Sequence, residues 1–392
     1  MPANRRTTVS QPRRRDLPDD DDERWGYPEH TAAKHEILRR YLGAWLTILG
    51  RGRPGFRHSQ LFLIDGFAGR GRYVEGEPGS PAIMFERAAQ VADDDLVERV
   101  LVRCSEPNAT NFAHLEEVCR GLNHPKVTVH PTRETFEDVA QKFIKYANTQ
   151  HPSPPTFVMV DPYGVKGVRF DTLQELLKLD RVEVFLTFMV RDPARFLESN
   201  YDQALTALFG SDAWRECAQA ADRTECLMRT FQEAVTGQIA DYVLPYKVHE
   251  DEKQTVLYYL VHLTNNDLGM RVMKEKMIKK SGEMTFFPIT LRPKDQLGLD
   301  VAEKPPFPSL QAYLAKRYVG RALSFVDLLN EDYPRGHNWV ESQYRSALKA
   351  MESGDTPSVT IGRRKPLTDT GRPRSAIDNA DVVTFRATSS PL

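Results

Sequence analysis

Three acidic residues each close an apolar run in this chain: Asp65 after LFLI, Glu106 after RVLVRCS, and Asp161 after TFVMV. An acid at the end of a buried strand is held at the rim of a sheet, where it can meet a ligand. Asp65 runs directly into GFAGRG, and a second loop, GEPGSP (76–81), follows it. Glycines there let the backbone approach a ligand closely and take positive φ. After Asp161 come Pro162, Tyr163 and Gly164. A carboxylate and a proline carbonyl side by side can both accept hydrogen bonds from an NH2 group and so orient its nitrogen. The adjacent aromatic can stack on a flat substrate such as a flipped-out base.

The loop DGFAGRG is not the dinucleotide fingerprint GxGxxG, because its glycines are displaced. It fits the D/E-x-F/G-x-G-x-G loop that wraps the methionine portion of S-adenosylmethionine, which makes Asp65, Gly69 and Gly71 cofactor-binding candidates. A plain tight turn after a strand would look the same. Glu106 stands where an acid can accept both ribose hydroxyls of a nucleoside cofactor. Its alternative is a solvated acid at a helix start beside Pro107. An ordinary Asp-Pro turn is the alternative for Asp161.

These residues need a scaffold, and the chain alternates accordingly. From His30, the residues Ile37, Leu38, Tyr41, Leu42, Trp45, Leu46 and Leu49 form one helical stripe. Strands are expected at 61–65, 99–106, 126–131, 156–162 and 182–189, with helix-length segments between them. That pattern predicts a parallel sheet covered on both faces. Residues 243–265 read as two strands joined by a polar DEKQ turn, hence antiparallel. The fold class is thus α/β: a Rossmann-type methyltransferase sheet, mostly parallel with an antiparallel edge. Asn266 reads as a helix cap, and Asn265 as a candidate to line the site. The proline-rich KPPFPS marks a boundary near residue 300. Helical stretches at 323–329 and 339–351, then PSVTIGRRKP and DVVTF, suggest a C-terminal winged-helix-like module over 310–390. Its wing connection carries Arg363, Arg364, Lys365, Arg372 and Arg374. Residues 1–28 are expected to be a disordered tail, and 29–300 a Rossmann-like methyltransferase domain.

Composition narrows the class. With 392 residues, 40% hydrophobic and 27% charged, the chain is ordinary for a soluble globular protein. No apolar run approaches a membrane span, and the start lacks an apolar signal segment, so a cytoplasmic protein without membrane contact is expected. The net charge of −1 gives no global support to a nucleic-acid partner. The arginine-rich start is followed at once by the acids 19–23, a self-neutralising pattern. Four cysteines, Cys104, Cys119, Cys217 and Cys226, show no metal spacing and are expected to be buried free thiols. The histidines form no ligand spacing, so no metal is expected.

The segments KHEILRRYLGAW (34–45), LFLIDGFAGRGRY (61–73), GEPGSP (76–81), VDPYG (160–164), FMVRDPARFL (188–197) and LTNNDLGMRVMKEKM (263–277) together resemble the three-Cys-motif partner protein family, TcmP, over about residues 30 to 290. The resemblance implies a partner, the three-cysteine, radical-SAM-like protein for which that family is named. More distantly, the first half is similar to the 23S ribosomal RNA adenine-N6 methyltransferase family. That likeness implies His35 as a cofactor contact and Lys34 on the substrate side. Phe67 and Ser80 would touch the cofactor, Glu106 would hold the ribose, and Glu134 and Thr135 would lie at the adenine. Asp161 would be the catalytic acceptor. DPYG lacks that family's second proline and brings Tyr163 one place early, which leaves targets other than adenine open. Three functions are therefore carried forward. They are methylation of an amine, first of a nucleobase in RNA or DNA; methylation of a small molecule or peptide; and non-catalytic nucleic-acid binding through the C-terminal module.

Overall fold

Apolar runs without polar alternation must be covered on both faces, and all five residues of TFVMV are buried. The computed structural model describes residues 29–51, 60–150, 152–197, 201–249, 256–278, 309–333, 339–353, 357–367 and 374–386. The expected N-terminal tail, the DEKQ turn, most of KPPFPS and Arg372 lie outside the described residues. The first unit runs α1 (Glu29–Arg51), β1 (Leu61–Asp65), α2 (Ser80–Asp93), β2 (Val100–Ser105), α3 (Ala109–Arg120), β3 (Val127–Thr132), α4 (Phe136–Ala147), β4 (Thr156–Val160), α5 (Phe170–Lys178) and β5 (Val182–Phe188). It continues through α6 (Arg191–Arg195), α7 (Asp202–Phe209), a 3-10 helix (Ala213–Gln219), α8 (Arg223–Val235), β6 (Tyr242–His249), β7 (Val256–Thr264) and α9 (Asp267–Ile278).

The sheet has seven strands in the order β3-β2-β1-β4-β5-β7-β6. Pairing from β3 through β5 is parallel, while β7 lies antiparallel between β5 and β6. This is the Rossmann-type sheet expected from the sequence, mostly parallel, with the antiparallel strand one place in from the edge. Chain order reverses between β1 and β4, so a crevice opens at their carboxyl ends. Alternation along β1 builds two cores. Ile64 joins the layer with α4, α5 and α8, whereas Leu61 and Leu63 join α1, α2 and α9 on the other face. The α1 stripe from Ile37 to Leu46 is buried as its spacing predicted, each large aliphatic side chain contributing about 1.5–3 kcal/mol.

Cys217 and Cys226 form a disulfide, which corrects the expectation of free thiols. The 3-10 helix ends just before α8 begins, and the turn between them brings the two Cα atoms to 5.5 Å, within disulfide reach. Cys104 and Cys119 are buried free thiols.

The second unit runs α10 (Leu310–Arg317), β8 (Ala322–Ser324), α11 (Phe325–Asp332), α12 (Glu341–Ser353), β9 (Val359–Gly362) and β10 (Val382–Phe385). Its antiparallel sheet has β10 in the middle. At its centre, the buried Asp332 carboxylate accepts hydrogen bonds from Tyr313 (2.6 Å), Tyr318 (3.1 Å) and Tyr344. This unit is fastened to α9. Met270 joins its core, Asn330 Nδ2 donates to Asp267 Oδ2 at 3.1 Å, and the buried Lys274 Nζ donates to the Tyr333 carbonyl at 2.9 Å. Burial lowers the Lys274 ammonium to about 7, with Asp332 opposing.

Candidate active site

The loop after β1 is fixed by its backbone. Gly66 N–H donates to the Met159 carbonyl and Ala68 N–H to that of Ser105, both at 2.9 Å, so the loop is drawn across the ends of β4 and β2. Gly69 (φ 58°) and Gly71 (φ 74°) lie in the left-handed region, where a side chain is strained. The second loop returns against the first. Gly79 N–H donates to the Gly71 carbonyl at 3.0 Å, and a Cβ on Gly79 would stand 2.7 Å from that oxygen. This return sets Ser80, the first residue of α2, against Asp65. Burial raises the Asp65 carboxyl to about 6, while the Ser80 hydroxyl and the Phe67 N–H (3.2 Å to Oδ1) pull it down. Asp65 Oδ2 is buried with no hydrogen-bond partner among the described residues.

Glu106 follows β2, its N–H bonded to the Thr132 carbonyl at 3.1 Å. Its carboxyl is raised by burial, against the hydrogen bonds of Asn108 N–H, the Asn111 side chain and Gly69 N–H. Ser105 Oγ donates to the Glu134 carbonyl at 2.7 Å and ties the loop after β3 to the same edge. Glu134 Oε1 accepts from Lys142 at 2.5 Å, and its buried Oε2 has no partner among the described residues. Thr135 is the N-cap of α4, in a capping box with Asp138. Phe67 packs on Phe136 with centroids 5.7 Å apart.

On the other side of the crevice, Lys34 of α1 donates to Asp161 Oδ2. The two side chains are 9% and 23% exposed. Burial would raise the Asp161 carboxyl, but the Lys34 ammonium and the Thr187 hydroxyl outweigh it and hold the group below the usual carboxylate range. His35 is pushed down to about 3 by burial first and the Lys34 charge second, so its imidazole is neutral at physiological pH. Pro162 is buried, and Tyr163 is 72% exposed beside it. The register of α1 is set deeper in the sheet. The buried Glu183 carboxylate of β5 accepts from Tyr41, from Trp45 Nε1 (3.2 Å) and pairs with His262 Nε2 (2.9 Å). Two residues further along that face, past Phe185, the same strand presents Thr187 to Asp161.

The structure thus gathers Lys34, His35, Asp65, Phe67, Gly69, Gly71, Ser80, Glu106 and Asp161 at one end of the sheet. Asn265 is a correction. It follows Thr264, which pairs with Glu183 at the start of β5, and its amide binds the Leu177 carbonyl and the Asp241 N–H. That is the end of the sheet opposite the crevice. Asn266 caps α9 by accepting from Gly269 N–H at 2.8 Å. Sequence reasoning missed Thr187, Tyr73 (5.6 Å from His35) and Tyr258, whose hydroxyl is raised by burial and by Asp161. For Thr187 the signal was present, as a hydroxyl inside the apolar run VEVFLTF.

Among the described residues no three of His, Cys, Asp and Glu are grouped to hold a metal, and no helix is long and apolar enough to cross a membrane. No protein-family model matches the chain, and no curated protein matches it. Solved structures do. A candidate rRNA-methylase from Clostridium thermocellum is 13% identical, with a TM-score of 0.31 over 60% of this chain and 97% of its own. A candidate methyltransferase from Thermobifida fusca YX is 14% identical, with a TM-score of 0.30 over 61% and 84%. An rRNA methylase from Streptococcus thermophilus is 9% identical, with a TM-score of 0.26 over 58% and 93%. At such identities and scores the likeness bears on neither substrate nor chemistry, and the fold rests on the strand order itself.

Proposed function

We propose that the chain is an S-adenosylmethionine-dependent methyltransferase that acts on an amine, with a nucleobase of RNA or DNA as the first substrate class. One observation carries this reading: Asp65 with its glycine loop, Glu106, and the Asp161–Pro162–Tyr163 run meet in one crevice at the topological switch point. The residues present fit the cofactor. The glycine loops leave a cradle that a Cβ would strain or fill. Two buried carboxylate oxygens, Asp65 Oδ2 and Glu134 Oε2, have no hydrogen-bond partner among the described residues, and a ligand with an ammonium and an exocyclic amine offers donors to them. Bound there, the cofactor would supply an electrophilic methyl group.

The rest of the work falls to the chain. Asp161 and the Pro162 carbonyl accept the two N–H bonds of the substrate amine, which turns its lone pair out of their plane. The Asp161 charge, kept ionised by Lys34, stabilises the positive charge that grows on the attacking nitrogen. Its carboxylate, already hydrogen-bonded to that nitrogen, can also take the proton that the nitrogen then sheds. Tyr163, projecting from the rim, offers a face for a planar base. Mass spectrometry of nucleosides and small-molecule extracts after incubation with isotopically labelled S-adenosylmethionine tests this. Label confined to a small molecule or peptide would favour the second reading, which the net charge of −1 supports.

Glu106→Ala should weaken binding of S-adenosylmethionine or its demethylated product at least about tenfold, the loss of a charge-assisted hydrogen bond. Equal affinities by calorimetry would remove Glu106 from the site.

We read the second unit as winged-helix-like, because its order is helix–strand–helix–helix–strand–strand with β10 central. Its basic stretch is partly neutralised: Arg363 makes a bidentate pair with Glu352 (2.8 and 2.5 Å) and Arg374 pairs with Asp378. The exposed Arg364 and Lys365 are left to meet phosphates. If this unit binds nucleic acid, affinity should fall steeply with salt, and replacing both residues with Ala should lower the logarithmic salt slope by about 2. An unchanged slope would assign the unit to protein contacts.

A further inference from the structure

Glu106 is gripped from two directions, and neither was visible in the sequence. From α3, Asn108 N–H donates to its Oε1 at 2.8 Å and the Asn111 side chain donates to the same carboxylate. From the glycine loop comes the Gly69 N–H. The Asn111 amide has two ends of nearly equal shape, so its orientation must be set by its neighbours. Arg70, the residue after Gly69, sets it: Nε donates to Asn111 Oδ1 at 3.2 Å, which leaves the NH2 end for Glu106. Arg70 is only 8% exposed although it lies in a loop. Asn111 N–H is in turn held by the Asn108 side chain at 3.0 Å. Two consecutive loop residues therefore hold the acid, Gly69 directly and Arg70 through Asn111.

We propose that Asn111 and Arg70 are positioning residues that aim the Glu106 carboxylate at the two ribose hydroxyls of the nucleoside cofactor. This rests on reading the crevice as a nucleoside-cofactor site. Three protein donors fix the plane of the carboxylate, and with it the direction of the lone pairs that remain for the ligand. Because α3 supplies two of them and the glycine loop the third, the acid and the loop keep one geometry. Without Asn111 the carboxylate gains a rotational freedom that two hydroxyls at fixed spacing do not tolerate.

The test measures discrimination rather than affinity alone. Calorimetry compares S-adenosylhomocysteine with its 2′,3′-dideoxy counterpart on the full chain, wild type, Asn111→Ala and Arg70→Met. Wild type should prefer the hydroxylated ligand by at least about tenfold. In Asn111→Ala the preference should collapse to within about threefold, and in Arg70→Met it should fall between, with the dideoxy ligand bound almost equally by all three. A merely structural role would weaken both ligands by one factor and leave the ratio untouched, and that result overturns the proposal. Should Asn111→Ala fail to fold, Arg70→Met decides alone, since it keeps both Asn111 and Glu106. Wild type that binds both ligands equally overturns the proposal but leaves the cofactor reading standing. Wild type that binds neither overturns both.

Discussion

Asp161→Ala should slow methyl transfer by about 10²- to 10⁴-fold while cofactor affinity stays within about threefold of wild type. The carboxylate does two things at once. It accepts the substrate amine, and it neutralises Lys34, whose side chain is 9% exposed. Removing it strands a mostly buried ammonium, which costs about 3 to 5 kcal/mol in fully buried pairs. The lower end applies here, because the Asp161 side chain is 23% exposed. The two roles separate in a double variant. Asp161→Ala combined with Lys34→Met should recover most of the thermal stability and none of the activity. Asp161→Asn keeps the shape and one acceptor and should show an intermediate rate. Full turnover by Asp161→Ala on a substrate that wild type methylates would end this mechanism. If the single and double variants melt together, the ion pair is not what holds α1 to the sheet.

For Asp65→Asn, stability and binding should move in opposite directions. Burial raises this carboxyl to about 6, so the folded protein favours the protonated form relative to the unfolded chain. Stability from this group is complete below about pH 4 and is lost as pH rises through about 6. At pH 7.5 the wild type carries a buried, ionised carboxylate and an asparagine does not. The variant should gain about 1 to 2 kcal/mol there, after allowance for the amide's own unmet hydrogen bonds, and the gain should vanish near pH 4. Cofactor binding should meanwhile weaken at least about tenfold and lose its rise between pH 5 and 7, since the charged acid that meets a cationic ligand is gone. Thermal unfolding at both pH values, with calorimetry at neutral pH, checks the pair of signs. A variant less stable than wild type at pH 7.5 would show that the charge of Asp65 supports the fold.

The parallel sheet was legible because its strands are unbroken apolar runs separated by helix-length amphipathic segments, and a strand buried on both faces leaves that signature. Asp65, Glu106 and Asp161 were legible because each ends such a run. What joins them was not. The Lys34–Asp161 pair spans 127 positions, and no local pattern announces which acid a helical lysine will reach. Only the resemblance brought Lys34 and His35 into view. Arg70 and Asn111 were not singled out, because nothing local marks a loop arginine or a helix asparagine; Arg70 is buried and Asn111 half-buried where α3 packs beneath the loop. The Cys217–Cys226 bond was hidden for a related reason, since a break between two helical segments cannot be seen in composition. Asn265 erred by one residue of context: it adjoins a cap, but at the wrong end of an antiparallel strand.

The clasp between Gly79 and the Gly71 carbonyl bears on how a ligand would arrive. The first loop is already seated on the ends of β2 and β4 by backbone hydrogen bonds and the second is clasped to the first, so little chain remains to be ordered on association. Binding to such a seat should show a heat-capacity change no larger than the ligand's own buried apolar surface requires. Its association should be a single concentration-dependent phase, without the slower second phase of a loop closing over its guest.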